Sequence, residues 1–210
     1  MKPPHSARDK RSISVALRDF IDGWEGERVS LNDLRLALAD RAYGALMVFF
    51  AAPNLIPVSI PGMSAVLGIP LMLLSVQLMI GQPHPWFPKF LGRRSFATRD
   101  FKLVLDRVLP ILAHLERVLR PRVSWLTAWG GERFLGFACL ILATVLSLPI
   151  PFGNFLPALA ILLMALALIE KDGLAYLIGL AVGIASLVIA SGVVIGLATA
   201  AFFAIEKLLS

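Results

Sequence analysis

The chain has one cysteine, Cys139, in 210 residues. An intrachain disulfide and a cysteine metal cluster are both excluded by that count. Histidine is nearly as scarce: His5, His84 and His114 stand far apart, with no second ligand at metal spacing, so no metal is expected. Charge is missing over much longer distances. Residues 42–88, 134–169 and 173–205 contain no Asp, Glu, Lys or Arg. A membrane span needs about 20 predominantly apolar residues. The first two stretches therefore each fit a pair of helices, and the third fits one long helix or a hairpin of two short ones. A water-soluble domain needs polar helix faces, which these stretches lack. With 58% of residues hydrophobic, the expected fold is an all-α polytopic membrane protein of about five spans, within a range of four to six.

Catalytic signatures are missing too. There is no nucleophile elbow, phosphate-binding loop or kinase set, and no paired acidic motif to hold a metal-bound sugar nucleotide. The chain reads as a non-enzyme with no cofactor, and as a partner of the lipid bilayer rather than of nucleic acid.

What charge there is sits in particular places. Residues 82–133 carry ten Lys/Arg against four Asp/Glu. The first 41 residues hold eight basic and seven acidic residues, with neither an apolar core nor a cleavage site for a secretory signal. The positive-inside tendency puts the middle loop in the cytoplasm. An even number of spans between tail and loop puts both on that side. This predicts a cytoplasmic amphipathic segment at 1–40, membrane repeats at 41–81 and 133–172, a basic cytoplasmic loop at 82–132, and a membrane helix or hairpin at 173–210. "SISVALRDFI" predicts a short amphipathic helix, and Ser30 with Asp33 offers a cap for a helix beginning at Leu31. In "TRDFKLVLDRVLPILAHLERVLRPR", Phe101, Leu105, Val108 and Leu112 recur at helical spacing between basic residues. That helix is expected to kink or restart at Pro110, and either to lie in the headgroup plane or to pack on other cytoplasmic helices. Trp86, Trp125 and Trp129 flank the loop as interface anchors would.

The chain also resembles itself. "DRAYG" at 40–44 and "ERFLG" at 132–136 share an acid, an arginine, two further residues and a glycine, 92 positions apart. Pro57 pairs with Pro149 at the same offset. One residue is then lost, which sets Gly62 opposite Gly153. The expected unit is an arginine at the membrane edge, an apolar helix, a Pro/Gly break and a second apolar helix. Pro57, Pro61, Gly62, Pro149, Pro151, Gly153 and Pro157 make the breaks, since proline removes a backbone N–H and clashes with the preceding turn. Irregular backbone at membrane depth is tolerated where protein buries it or where it lines a polar cavity. Asn54 and Asn154 in the breaks, Gln77 within "LLSVQLM", and Arg41 and Arg133 at the repeat starts are the expected ligand-binding residues. The simpler alternatives are hydrogen bonds within the breaks and arginines snorkelling to the interface.

Three segments carry a family resemblance: "NLIPVSIPGMSAVLGIPLMLLSVQLMIG" followed by "PWFP", then "LERVLRPR", then "LPIPFGNFLPALAILLMALALIEKDG". In this order, from about residue 30 to about residue 200, the chain resembles the ExoD family of bacterial exopolysaccharide-synthesis membrane proteins. Arg41, Pro57, Pro70, Gln77, Glu116, Arg120, Pro121, Arg122, Asn154, Pro157, Asp172 and Gly173 match its motif positions. The first break, "VSIPGM", is a looser version of the family's proline- and serine-rich form. The resemblance implies a multi-pass protein of the bacterial inner membrane. It also implies a role in exopolysaccharide synthesis, with the synthesis machinery or a second copy of the chain as possible partners. Two functions fit: handling or transport of an anionic, polyprenyl-phosphate-like lipid or small solute at the broken helices, or a non-transporting assembly or regulatory subunit.

Overall fold

The computed structural model describes residues 13–38, 41–55, 63–88, 95–127, 129–148 and 153–209. Eight helices dominate them: α1 (Ile13–Asp22), α2 (Leu31–Leu38), α3 (Ala42–Ala51), α4 (Met63–Met79), α5 (Thr98–Val118), α6 (Trp129–Ser147), α7 (Phe155–Glu170) and α8 (Gly173–Leu209). Short 3-10 turns cover Ala52–Leu55 and Ser124–Thr127. A feature the all-helical expectation missed is one antiparallel pair, β1 (Arg28–Ser30) with β2 (Ser95–Ala97), which sets Val29 opposite Phe96.

The charge-free stretches build the centre. α4 lies along α6 and α3 along α7, while α3–α4 and α6–α7 contacts close the four-helix arrangement. Glycines set two of these approaches. A Cβ on Gly44 of α3 would fall 2.8 Å from the Ala165 carbonyl oxygen of α7, and one on Gly136 of α6 would fall 2.8 Å from the Ser75 carbonyl oxygen of α4. The same two positions touch Ile169 and Met79, near the ends of α7 and α4. Both pairs are thus antiparallel, with the starts of α3 and α6 beside the ends of α7 and α4. All ten residues of α3 are buried, which explains why the helix has no polar face to lose. Apolar surface is left exposed on α4 (Val66, Ile69, Val76), at Ile80 just after it, on α6 (Phe134, Phe137) and on α8 (Ile184, Val188, Ile195).

Among the described residues, two helices are long and apolar enough to cross a membrane, over Gly130–Ser147 and Gly173–Gly196. The apolar stretches Ala42–Leu55, Val66–Met79 and Phe155–Glu170 are shorter. At about 1.5 Å per residue the 16 residues of α7 reach about 24 Å, against a hydrocarbon core of about 30 Å. On length, two of the described helices therefore meet the spanning criterion, and the expected count of about five is not reached by length alone. α8 is one continuous helix of 37 residues, so the hairpin alternative with a break at Ser191–Gly192 does not apply.

The amphipathic segments form a separate layer. Ser30 and Asp33 make a reciprocal cap on α2: Ser30 Oγ accepts the Asp33 N–H at 3.2 Å, and Asp33 Oδ2 accepts the Ser30 N–H at 3.0 Å. That is the expected start, but α2 ends at Leu38 and a separate helix continues from Ala42. α1 packs on α5. In α5, Phe101, Leu105, Val108 and Leu112 are buried while Lys102, Arg107 and Arg117 are exposed. The Phe101 ring lies 5.0 Å from that of Phe49 in α3, so the apolar stripe is spent on protein contacts. α5 runs through Pro110 without restarting. The proline sits on the exposed side, where the Asp106 carbonyl that loses its helical donor remains open to water.

Candidate functional site

Arg41 precedes the first residue of α3, and Arg133 lies in the opening turns of α6. Because the two helices start at the same end of the bundle, both arginines reach one cavity of about 700 Å³. Glu132, Lys171, Gln82 and the backbone around Gly81 share its lining. Its volume falls within the range of about 300–1,000 Å³ usual for small-ligand sites. The Arg133 guanidinium lies over Gly81, where an added Cβ would be 3.0 Å from Nη2. Gly81 has φ +78° and ends α4, and a cation at a helix C-terminus is stabilised by the carbonyls that point there. Across the cavity Lys171, with φ +53°, ends α7, and Arg41 lies within electrostatic reach of Glu170. Lining charge comes from three basic side chains and one acidic one, an excess of two positive charges.

Other expected ligand residues lie elsewhere. Gln77 is buried and occupied: its Nε2 donates to the Trp86 carbonyl at 2.7 Å, and its Oε1 accepts the Trp86 N–H at 2.6 Å. It pins the 82–88 segment that closes one side of the cavity. Asn54 donates from Nδ2 to the Phe50 carbonyl at 3.1 Å, at the far end of α3 from Arg41. Asn154 stands at the start of α7 with no side-chain cap bond, and its buried Oδ1 has no partner among the described residues. About 14 residues of helix, or about 20 Å, separate the arginines from the break ends. One site holding both groups is therefore not assembled. Pro57, Pro61, Gly62, Pro149 and Pro151 lie outside the described residues. Gly153 is in the turn before α7, and Pro157 is buried in its first turn, where a missing N–H costs no helical bond.

The "LERVLRPR" and "EKDG" segments meet in a joint. Glu116 accepts the Ser14 N–H at 3.0 Å and the Ser14 hydroxyl at 2.5 Å, tying α5 to α1. Asp172, which is buried, caps α8 by accepting the N–H groups of Leu174 and Ala175 on Oδ1. Its Oδ2 accepts the Arg120 N–H at 2.9 Å. The Gly173 N–H donates to the Arg122 carbonyl at 2.6 Å. The polar backbone of Arg120 and Arg122 thus fastens this joint, and their side chains are on the exposed surface. Glu132, Lys171 and Ser14 were not among the residues expected from sequence. Lys171 has a sequence signal only if the second helices are aligned at an offset of 90, which sets it opposite Gly81.

The fold is thus a helical bundle with apolar outer faces and a basic cavity where four helix ends meet. Over residues 13–203 the chain matches the family described as "Exopolysaccharide synthesis, ExoD", and it belongs to that family. It is 34% identical over 169 residues to Protein ExoD of Rhizobium meliloti (strain 1021), covering 79% of this chain and 70% of that protein. It is 28% identical over 164 residues to Uncharacterized protein slr1875 of Synechocystis, covering 77% of each. No solved structure matches the chain at a significant level.

Proposed function

We propose that this protein is a multi-pass inner-membrane component of exopolysaccharide synthesis that binds the phosphate headgroup of an anionic, polyprenyl-phosphate-like lipid. The ligand sits in the cavity of Arg41, Arg133 and Lys171. The observation that carries this reading is the meeting of two arginines from distant sequence positions in one cavity with an excess of two positive charges. Guanidinium forks match phosphate oxygens in pairs, a geometry a lysine does not offer. Ile80 and Phe134, next in sequence to the lining residues Gly81 and Arg133, are exposed apolar side chains, as a ligand with a hydrocarbon tail requires. In this reading α3, α4 and α7 enter the bilayer with α6 and α8, with their ends completed by neighbouring protein, and the basic segment 82–132 is cytoplasmic. The role is binding or transfer of the lipid, with no bond made or broken.

The test is lipid binding by purified protein together with exopolysaccharide output of the producing strain. Arg41→Ala and Arg133→Ala should each lower both while leaving membrane insertion unchanged, since neither removes apolar surface. Normal output with both variants rejects the reading.

A second reading, a non-transporting assembly subunit, is favoured by the outer faces of α1 and α5. They expose Arg18, Asp19, Lys102, Asp106 and Arg107, charges of both signs suited to a protein partner. Loss of output on charge reversal at Lys102 and Arg107, with lipid binding intact, would select it.

A further inference from the structure

The two helix pairs meet in matching ways. Gly44 and Gly136, 92 positions apart, each bring a first helix onto the second helix of the other pair. They do so at Ala165 and Ser75, and at Ile169 and Met79, which are 90 positions apart. The second helices also end alike. Gly81 and Lys171 both have positive φ, and the amide that follows each donates five residues back: Gln82 N–H to the Gln77 carbonyl and Asp172 N–H to the Ala167 carbonyl, both at 3.0 Å. This is the Schellman closure, in which a left-handed residue lets the next amide cap the helix. The packing pattern has the same symmetry, with α3 on α7 matching α4 on α6, and α3 on α4 matching α6 on α7.

The same operation relates part of the cavity lining. The lining includes Arg41 with Arg133, Leu78 with Leu168, and Gly81 with Lys171, each pair related by one of these offsets. These correspondences describe an approximate two-fold relation between the helix pairs, with Arg41 and Arg133 on its two sides. Two helix N-termini and two C-termini meet at this end, so their dipoles largely offset. Recognition is left to the side chains.

We infer that the cavity takes a diphosphate, one phosphate to each of the symmetry-related guanidiniums of Arg41 and Arg133. This rests on the anion-site reading above and narrows it. Each guanidinium presents one planar fork, so two symmetry-related forks pair with two phosphates, whereas a single phosphate leaves one fork unmatched. Both arginines interact within the protein, and the five donors of each guanidinium leave room for a ligand beside those contacts. The bridged pair of phosphates can come from a lipid diphosphate or from a free one.

The experiment is calorimetric titration of the purified full chain in detergent with farnesyl diphosphate, farnesyl monophosphate, pyrophosphate and orthophosphate. Diphosphates should bind at least about tenfold more tightly than the matching monophosphates, a difference of about 1.4 kcal/mol, at one per chain. Arg41→Gln and Arg133→Gln should remove that preference to a similar degree, and unchanged thermal melting checks their folding. Arg133→Lys keeps the charge but loses the fork and should retain only part of the preference. Preference for farnesyl diphosphate over pyrophosphate assigns the ligand to lipid, and equal binding assigns it to the free diphosphate. Equal affinity for mono- and diphosphates overturns the two-fold ligand while leaving an anion site. No binding of any of the four overturns both.

Discussion

Asp172 holds Arg120 by its backbone: carboxylate Oδ2 accepts the Arg120 N–H at 2.9 Å, while Oδ1 caps α8. One buried carboxylate thus joins the end of the amphipathic layer to the start of the longest helix.

Asp172→Ala removes the cap and leaves a partly buried amide without an acceptor. Loss of a cap costs about 0.5–2 kcal/mol and an unsatisfied buried donor about 1–3 kcal/mol, so a loss of roughly 2–4 kcal/mol is expected. Thermal unfolding in detergent measures it, and proteolysis should open first near 120–123. A variant that melts as the parent does would show that the joint contributes nothing.

Glu116 and Ser14 should behave as a unit. Glu116→Ala breaks both hydrogen bonds of the α1–α5 tie and Ser14→Ala only the hydroxyl one, so the double variant should be little worse than Glu116→Ala alone. Hydrogen exchange should accelerate in α1 while the central bundle stays protected. Additive effects on stability would mean that the two side chains act separately.

Glycines at helix contacts and glycines facing outward should respond in opposite directions. Gly136→Ala drives a methyl against the α4 backbone and should destabilise by about 1–3 kcal/mol. At Gly192 and Gly196 nothing lies within 4 Å of an added Cβ. Alanine there should be neutral or stabilising by up to about 1 kcal/mol through helix propensity. Melting of the three variants side by side decides the matter.

Gln77→Leu keeps the side-chain volume near its original value but deprives Trp86 of both backbone hydrogen bonds. Exchange across 82–88 should rise, and ligand affinity at the Arg41–Arg133 cavity should fall although neither arginine is altered. Unchanged affinity would place the 82–88 segment outside the site.

Much of this was legible along the chain. Charge-free stretches gave the apolar helices, because burial among apolar neighbours needs no polar face. The cap at Ser30 and Asp33 and the stripe of α5 were readable, since capping and periodicity depend on residues within one or two turns. The likeness of "DRAYG" and "ERFLG" singled out Arg41 and Arg133 before any geometry was known. Their spacing of 92 could not say whether they meet, because that depends on where each helix pair turns.

Helix lengths and partners were decided by tertiary structure. Composition does not show how early α3 gives way to a 3-10 turn or that α7 has 16 residues. The destination of the α5 stripe was equally open in sequence, since an apolar row binds lipid or protein by the same hydrophobic effect; contact with Phe49 and α1 settled it. Gln77, Asn54 and Asn154 carry the same amide, yet one clamps Trp86, one bonds its own helix and one has a buried oxygen without a described partner. Local sequence determined which residues are polar, apolar or helix-ending, because those properties belong to each residue and its near neighbours. Which polar groups share a site was decided by packing of segments about ninety residues apart, where the close approach of glycine-faced helices brings two arginines to one cavity.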